Sequence, residues 1–364
     1  MKLDIDTVEP RLQALRVQLV DVDDGVLVKR GRVEFRVSGA RAAQVLQLLL
    51  VTAVGGATRT ELCAPFAGPD RAAVDRLIGE LERRRILVPP EEAPGAATDS
   101  PETENDLFVW HFGETVDSLA DRLVARRITI MGVNAVSHRI ATALIDGSVP
   151  GVEVVDYPLL ANLRMFDDRG ALDTTRWTAG ITPVPYDRWR PDDDPDRPVT
   201  LIATTDFGGL RMLRWWNEQA VAHNWHFLPV ALRDLIGYVG PFVVPGETAC
   251  YECLRARQNS HLADPPLHRA TEEHAFEGQA ATGFHPAMAS ILGDIAALEM
   301  VKFYGGWPGP RLVGSLVEVN LLATTMASRR VLRIPRCAVC GNRGRRSGIS
   351  LTRQSFLPGH EVYA

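Results

Sequence analysis

Two Cys-x-x-Cys pairs constrain the fold of this chain more than any other feature of its sequence. Cys250 and Cys253 form one pair, and Cys337 and Cys340 form the other, far along the chain. This spacing is typical of a zinc knuckle, in which a tight turn directs two thiolates at one ion. Four thiolates fill a tetrahedral zinc site and leave no position for water or substrate. The pairs therefore predict a structural zinc site that joins two distant segments, rather than a catalytic metal.

Two disulfide bonds are the alternative use of these cysteines. The chain begins MKLDIDTVEP, which lacks the apolar region of a secretory signal, and the fifth cysteine, Cys63, would remain unpaired. Both features favour zinc in a reducing cytoplasm. The formal net charge of −5 gives no general attraction for nucleic acid or for anionic membranes. No apolar run approaches the roughly 20 residues of a membrane span. We therefore expect a cytoplasmic protein without a nucleic-acid or membrane partner.

A change in composition divides the chain. Residues 89–106 (PPEEAPGAATDSPETEND) are rich in Pro, Ala and acidic residues and contain little apolar surface to bury. Because such a segment does not offset its own ordering entropy, we predict a flexible linker. The expected parts are a small domain at residues 1–88, the linker at 89–106, a large domain at 107–345 and a tail at 346–364.

The small domain shows alternating apolar positions followed by helical periodicity. The predicted elements are strands at residues 15–19, 26–28 and 33–37, a helix after Gly39, helices at 58–66 and 70–85, and a strand at 86–88. Thr58 or Thr60 is the expected N-cap of the second helix. Three strands with three helices in so short a chain predict a winged-helix fold.

Winged-helix domains most often bind DNA, and this use competes with capture of a peptide. The third predicted helix mixes basic residues such as Arg71 and Arg76 with acidic ones such as Asp75 and Glu80, so no uniformly basic face results. An extended peptide would instead add a strand to the exposed edge at residues 33–37, and the third helix would supply side-chain pockets. The residues on these two surfaces are Val33, Phe35, Val37, Val74, Leu77, Ile78 and Leu81. This domain alone leaves both uses open.

The large domain opens with the pattern of a nucleotide-binding α/β fold. Residues 127–131 predict a buried strand that runs into Gly132, and residues 136–144 predict a helix. A second parallel strand, 152–156, ends at Asp156. Further elements are predicted at residues 199–204 (strand), 210–222 (helix) and 226–230 (strand). This alternation indicates a mostly parallel sheet covered by helices.

The turn after the first of these strands departs from a phosphate-binding loop. Gly132 is the one glycine where such a loop carries several. Asn134 tolerates a positive φ, but the Cβ of Ala135 would crowd a backbone that must approach phosphates. The turn therefore argues against ATP–Mg as a cofactor.

The large domain resembles the E1-like (ThiF/MoeB) adenylating family. The shared features are a glycine after the first strand, an acidic residue after the second, a Thr-Asp after the third, and the paired cysteine knuckles. In that family the Asp helps to hold ATP–Mg and an Arg follows five residues later, as Asp206 and Arg211 do here. Asn162-Leu163 matches an Asn-Leu of the family, whereas Phe207 replaces an expected Asn. The resemblance implies residual nucleotide-site residues at Gly132, Asp156, Asp206 and Arg211.

A narrower resemblance is to the E1-like component of azoline-forming cyclodehydratases, which serve the biosynthesis of ribosomal peptides with thiazole and oxazole rings. It is carried by VGPFVVPG at residues 239–246, by RIPRCAVCG at 333–341 and by His285-Pro286 at a helix start. It covers about residues 107–345. In this family the winged domain is the precursor-peptide recognition element, and the leader peptide lies along the third strand against the third helix.

The resemblance implies a protein that does little chemistry itself. It would bind the leader of a ribosomally made precursor peptide and present the core to a separate YcaO-type cyclodehydratase, which uses ATP to form azolines from Cys, Ser or Thr. Residues 261–283 resemble the crossover loop of E1-like folds, near the active site or the dimer interface, so a homodimer is also expected. Two alternatives stay open: an ATP-dependent E1-like enzyme that adenylates a peptide carboxylate, and a zinc-containing winged-helix transcription regulator.

Overall fold

The structure is a computed structural model that describes residues 9–93, 102–191, 199–233, 235–267, 270, 283–307, 309 and 312–341. The chain divides into two compact units, Met1–Leu119 and Ala120–Ala364. The predicted tail at 346–364 and most of the segment that resembles a crossover loop lie outside the described residues. Within those residues, no helix is long and apolar enough to cross a membrane.

The smaller unit contains a three-stranded antiparallel sheet with two open edges. Its strands are β2 (Gln18–Val22), β3 (Gly25–Arg30) and β4 (Val33–Ser38). Their order is β2-β3-β4, so among the described residues β2 and β4 each pair with one strand only. Val28 of β3 lies opposite Leu19 on one side and Phe35 on the other, and it is fully buried. This face of the sheet therefore covers the core of the unit.

Three helices pack on that core, which contains the buried residues Val26, Val28, Leu46, Leu49, Val74, Ile78 and Leu81. The helices are α1 (Ala42–Thr52), α2 (Arg59–Cys63) and α3 (Gly68–Arg83). The prediction of Thr58 as the N-cap of α2 is confirmed. Its side chain accepts from the Glu61 amide, and the Glu61 carboxylate accepts from the Thr58 amide at 2.8 Å. This capping box satisfies two amide groups that lack helical partners.

The single strand predicted at residues 15–19 is two separate strands in the structure. β1 (Arg11–Ala14) pairs with β5 (Ala57–Thr58) and β6 (Leu87–Val88) in a second small sheet, and β2 begins only at Gln18. Between them, Leu15 is buried beside Trp110. Because the apolar alternation runs through both strands, the sequence does not mark the break.

The described ends of the predicted linker make defined contacts within the smaller unit. Residues 90–92 form a 3-10 turn, and α4 (Glu104–Trp110) begins inside the predicted linker. Glu102 forms an ion pair with Arg30, which is 4% exposed, and the Arg30 guanidinium lies 4.5 Å from the Trp110 ring centroid. Glu102, one of the acidic residues that indicated a linker, is thus the ion-pair partner of a buried arginine. Residues 94–101 lie outside the described residues.

An eight-stranded sheet forms the centre of the larger unit. Its order is β14-β13-β12-β11-β10-β7-β8-β9; the five strands from β11 to β9 run parallel, and the other three are antiparallel. The strands are β7 (Arg127–Met131), β8 (Val152–Asp156), β9 (Val184–Pro185), β10 (Val199–Thr205), β11 (His226–Arg233), β12 (Ile236–Val239), β13 (Ser315–Asn320) and β14 (Thr325–Arg330). The mixed α/β class is confirmed. The three antiparallel strands β12, β13 and β14 were not predicted. Neither the connection from β11 to β12 nor the connection from β13 to β14 contains a helix.

Helices cover both faces of this sheet. After α5 (Val116–Val124), helices α6 (Ala135–Asp146) and α9 (Pro286–Gly305) pack together on one face. Helix α7 (Leu210–His223) packs on β10 and β11 at the other face, with α8 (Tyr251–Asn259) beside it. The parallel strands β7, β8 and β10 end at the same edge of the sheet, so the residues that follow them are brought together there.

Candidate functional site

The four predicted cysteine ligands converge in one buried cluster. All four are buried, and their Sγ atoms lie within 4.8 Å of one another. The Sγ of Cys250 lies 3.8 Å from that of Cys253 and 3.6 Å from that of Cys337. The Sγ atoms of Cys253 and Cys340 are 3.5 Å apart. Since a disulfide would bring two sulfurs to about 2.05 Å, these are free thiols.

These distances fit a tetrahedral zinc–thiolate site. With Zn–S bonds of about 2.3 Å, the edges of the sulfur tetrahedron measure about 3.8 Å. The four buried cysteines are thus able to hold a metal ion, consistent with zinc, and four protein ligands leave no open coordination position.

Backbone contacts hold both knuckles in this geometry. The Cys253 amide donates to the Cys250 carbonyl at 3.1 Å, at the start of α8. The Gly341 amide donates to the Cys337 carbonyl at 2.8 Å, and a Cβ on Gly341 would lie 2.4 Å from that oxygen. The Ile334 amide points at the Cys253 Sγ, 3.4 Å away. Amide donors of this kind stabilise a thiolate ligand and fix its orientation.

The carboxyl ends of β7, β8 and β10 form the second candidate site. Gly132, directly after β7, has a φ of +102°, and a Cβ there would lie 2.6 Å from the Leu160 carbonyl oxygen. Only glycine fits this close approach of two chain segments. The predicted role of Gly132 as a turn between strand and helix is therefore visible in the geometry, whereas its part in binding a nucleotide stays a prediction.

Asn134 fixes the start of α6 from inside the protein. Its side-chain oxygen accepts from the amides of Val136 and Ser137 at 3.1 and 3.0 Å. Its side-chain nitrogen donates to the carbonyls of Leu160 and Thr204, each at 3.1 Å. Asn134 is fully buried, so these bonds satisfy a polar group that has no access to water.

Asp206, which follows β10, places its carboxylate at the same helix start. Its Oδ2 accepts from the Ala135 amide at 2.8 Å, and its Oδ1 accepts from the Asn162 side-chain nitrogen at 2.9 Å. The residue is 1% exposed, and this burial raises the pKa of the carboxyl even though both hydrogen bonds act to lower it. Asp206 is thus a buried acceptor at a helix N-terminus, where a negative charge is favoured.

The first four amide donors of α6 are therefore satisfied within the chain. The amide of Asn134 donates to the Ser137 hydroxyl at 2.9 Å, the amide of Ala135 donates to Asp206, and the next two donate to Asn134. A helix N-terminus normally offers such donors to an anion such as phosphate. In this structure the chain's own side chains take those positions.

The other two predicted nucleotide-site residues lie apart from this network. Asp156 is half-buried at the end of β8, and burial raises the pKa of its carboxyl. Arg211 is exposed in the first turn of α7. Among the described residues, neither side chain hydrogen-bonds to Asp206. The sequence identified Asp206 and Asn162, but the direct bond between them and the closing role of Asn134 required the structure.

The predicted peptide surface has a buried part and an accessible part. Val74, Ile78 and Leu81 are at most 4% exposed and belong to the core, so of the helix residues predicted for this surface only Leu77 offers substantial accessible area. The half-buried residues of the surface are Val33, Phe35, Val37 and Leu77. We call these four residues the β4 surface; Phe35, Val37 and Leu77 pack against the core that contains the three buried residues.

Arg84, which the sequence analysis did not identify, lies over this surface. Its guanidinium carbon is 4.4 Å from the centroid of the Phe35 ring, and its Nε donates to Glu80. Along β4, the half-buried apolar residues alternate with exposed Glu34 and Arg36. A strand added at the β4 edge would therefore meet an apolar face that carries one cation.

Comparisons with known proteins found one similar curated protein and several solved structures that share the fold. No family model matches the chain. It is 32% identical over 144 residues to Protein HesA of Leptolyngbya boryana, a match that covers 40% of this chain and 44% of HesA. The matched part thus spans less than half the length of that curated relative.

The structural similarities extend over nearly the whole chain. One solved structure is E. coli MccB with MccA-N7isoASN, with a TM-score of 0.61 and 16% identity over 91% of this chain and 100% of that chain. The microcin C7 biosynthetic enzyme MccB in complex with N-formylated MccA has a TM-score of 0.62, the same identity and the same coverage. A heterocyclase in complex with substrate and cofactor has a TM-score of 0.58 and 17% identity, covering 91% of this chain and 40% of that chain. The chain therefore shares the fold of MccB and of part of the heterocyclase.

Proposed function

We propose that the smaller unit binds the leader of a ribosomally made precursor peptide along β4. The larger unit would present the core of that peptide to a separate YcaO-type cyclodehydratase, which forms azolines from Cys, Ser or Thr. In this proposal residues 9–88 act as a winged-helix recognition element, residues in the range 107–345 form a zinc-stabilised scaffold, and the chain itself contributes little or no chemistry.

The observation that carries this proposal is the open edge of β4. The strand pairs with β3 on one side, and among the described residues no strand pairs with the other side. Its inner face presents Val33, Phe35 and Val37 as half-buried apolar positions with a period of two, and half-buried Leu77 packs against the same core as Phe35 and Val37. An added strand gains affinity from main-chain hydrogen bonds and specificity from alternate side chains. Two similar structures, MccB and the heterocyclase, were solved with MccA or with substrate.

The first four amide donors of α6 are already satisfied within the chain, which supports the absence of adenylation. ATP would need the amide donors that Asp206 and Asn134 already occupy. It would also need Asp206 to exchange the bonds from Ala135 and Asn162 for a metal ion. The expected gain from this protein is instead effective concentration, since tethering the leader turns encounters of the core peptide with the partner enzyme into intramolecular events.

A fluorescence-polarisation titration tests the proposal. The probe is the labelled leader of the precursor peptide encoded next to this gene, and the full chain is titrated with and without ATP–Mg. We expect saturable binding that ATP–Mg does not change. A folded, zinc-loaded chain that shows no saturable binding would contradict the proposed function.

The E1-like adenylating enzyme is the second candidate, favoured by one observation: the fold matches MccB over the full length of that chain. Pyrophosphate exchange separates the two candidates. Peptide-dependent exchange that is lost in Asp206→Ala would support adenylation and overturn the scaffold proposal, whereas its absence in a leader-binding protein would support the scaffold.

A further inference from the structure

β14 is an edge strand of the eight-stranded sheet, and its outer side is open. It pairs with β13 along all six of its residues, and among the described residues no strand pairs with its other side. The ladder continues to Val331, whose amide donates to the Gly314 carbonyl at 2.9 Å. Because inward and outward positions alternate in an antiparallel ladder, the main-chain groups of Met326, Ser328 and Arg330 point away from β13. These amides and carbonyls are thus directed at the position of an added strand.

The charge around this edge differs from that of the chain as a whole. Residues 315–341 contain four arginines and one acidic residue, Glu318, whereas the whole chain has a formal net charge of −5. Arg329 lies 3.8 Å from Glu318. Arg330, which is exposed, forms no ion pair within the described part of the chain. The edge is therefore positive, and acidic side chains would complement it.

The charged and apolar residues of the edge lie at opposite ends of the strand. Arg329 and Arg330 are its last two residues. Near its start, Met326 is 61% exposed, and Leu322, in the turn before the strand, is 72% exposed. Met326 and Arg330 share one face of the sheet, about 13 Å apart along the strand, because side chains alternate between faces. An added strand would therefore meet a cationic end and an apolar end, which together favour one direction of binding.

Two other occupants fit this edge less well than an acidic strand. A second copy paired through its own β14 would place Arg329 and Arg330 of both copies along one edge, and charged residues on an edge strand oppose such pairing. A nucleic acid offers phosphate oxygens, which accept from amides but cannot donate to the outward carbonyls of β14. A peptide strand satisfies both the amides and the carbonyls.

We propose that β14 is a docking edge for an extended segment of a partner protein in which acidic side chains precede apolar ones. Antiparallel addition continues the pattern of β12, β13 and β14 and is slightly more stable per residue than parallel addition. The acidic side chains then lie opposite Arg329 and Arg330, and the apolar ones lie opposite Ala327 and Met326. This site needs neither leader binding on β4 nor a nucleotide, so it goes beyond the proposed function.

Ligand-observed NMR titrations of the full, zinc-loaded chain test the edge with three capped peptides. Acetyl-Glu-Glu-Thr-Val-Val-Thr amide is the acidic strand. A second peptide has Gln in place of both Glu residues, and a third has Pro in place of the first Thr, which removes an amide that would pair with Ser328. We expect the acidic peptide to bind at least fivefold more tightly than each of the other two. An acidic peptide that shows no saturable binding, or binds no more tightly than either control, would overturn the proposal.

Charge reversal assigns the binding to β14. Arg330→Glu should weaken the acidic peptide at least tenfold and should increase the affinity for a peptide with Lys in place of both Glu residues. Arg169→Glu, at an exposed position outside this edge, is the control and should change neither affinity. A folded Arg330→Glu that binds the acidic peptide like the wild type would refute the site.

Two parallel measurements separate this edge from its alternatives. Sedimentation of the chain alone reports on a second copy, and self-association that Arg330→Glu alters would assign the edge to that copy and overturn the proposal. Leader affinity should stay within twofold in Arg330→Glu, because the leader is expected on β4. A parallel loss of leader and acidic-peptide binding would contradict a separate site on β14.

Discussion

The edge of β4 and the N-terminus of α6 both carry main-chain groups that an incoming ligand would use, yet the two are built in opposite ways. β4 keeps one side without a paired strand among the described residues, whereas Asp206, Asn134 and Ser137 take the first four donors of α6. The resemblance described in the sequence analysis implies a nucleotide at the second of these positions. In the proposed function, the smaller unit recognises the peptide and the larger unit serves as the scaffold.

The largest expected effect comes from removing a cysteine ligand. It acts on the larger unit, which contains α6. Cys250→Ser should release the metal and destabilise the larger unit by more than about 4 kcal/mol, since the free energy of metal binding contributes directly to folding. Elemental analysis and thermal unfolding measure the two effects. Cys63→Ser, in the smaller unit, is the matched control. Zinc retained at full occupancy in Cys250→Ser would contradict the four-cysteine site.

The next effect distinguishes the two open edges of the small sheet. Phe35→Asp on β4 should weaken leader binding at least tenfold, about 1.4 kcal/mol, because it places a charge on the apolar face that the leader covers. Val20→Asp on β2 is the matched control: Val20 is 47% exposed, and the change should leave affinity within twofold.

Phe35 also packs on the core, so Leu77→Glu provides a second variant with a half-buried side chain. Circular dichroism establishes that each variant is folded. A folded Phe35→Asp and a folded Leu77→Glu that both bind the leader like the wild type would refute the β4 surface.

A smaller effect tests Asp206, which accepts a hydrogen bond at the start of α6. The pKa of Asp206 is raised in the folded state, so the folded chain binds more protons than the unfolded chain at intermediate pH. Stability attributable to this group is complete below the unfolded pKa of about 3.9 and is lost as pH rises through the folded value. Urea unfolding across this window should therefore show a flatter pH dependence in Asp206→Asn. The same slope as in the wild type would contradict a buried, charge-penalised Asp206; Asp167→Asn, at an exposed position, is the control.

The smallest effect concerns the cation over Phe35. Arg84→Gln removes a guanidinium 4.4 Å from the ring and should lower the stability of the smaller unit by about 0.5–1 kcal/mol. If the leader covers Phe35, its affinity should change by no more than about fivefold. A change larger than that of Phe35→Asp would place the main contact on Arg84 instead.

Much of the fold was readable from the sequence because its signals are local. The strands predicted at 127–131 and 152–156 match β7 and β8, since a buried parallel strand is a continuous apolar run between turns. The helix start expected at His285-Pro286 is also confirmed: α9 begins at Pro286, and the structure adds that His285 is its N-cap. By contrast, β14 is exposed along nearly all of its length and carries no apolar period, so only its pairing with β13 defines it.

The candidate sites show the same division. Cysteine spacing identified the four thiols that meet at the metal site, because the two ligands of each knuckle lie only three positions apart in the sequence. Helical periodicity made Val74, Ile78 and Leu81 core residues by default, but it did not say which residues of that face stay accessible, and the structure shows that Leu77 does. The bonds that join Asp206 to Ala135 and Asn162 cross between three loops, and no local pattern encodes them.

Hydrogen–deuterium exchange of the full chain with and without the leader tests the central claim most directly. If the leader adds a strand to β4, the amides of Val33–Ser38 gain protection on binding, while those of Gln18–Val22 and of the first turn of α6 keep their exchange rates. Protection that appears on β2, or at the start of α6 with no change on β4, would contradict the account.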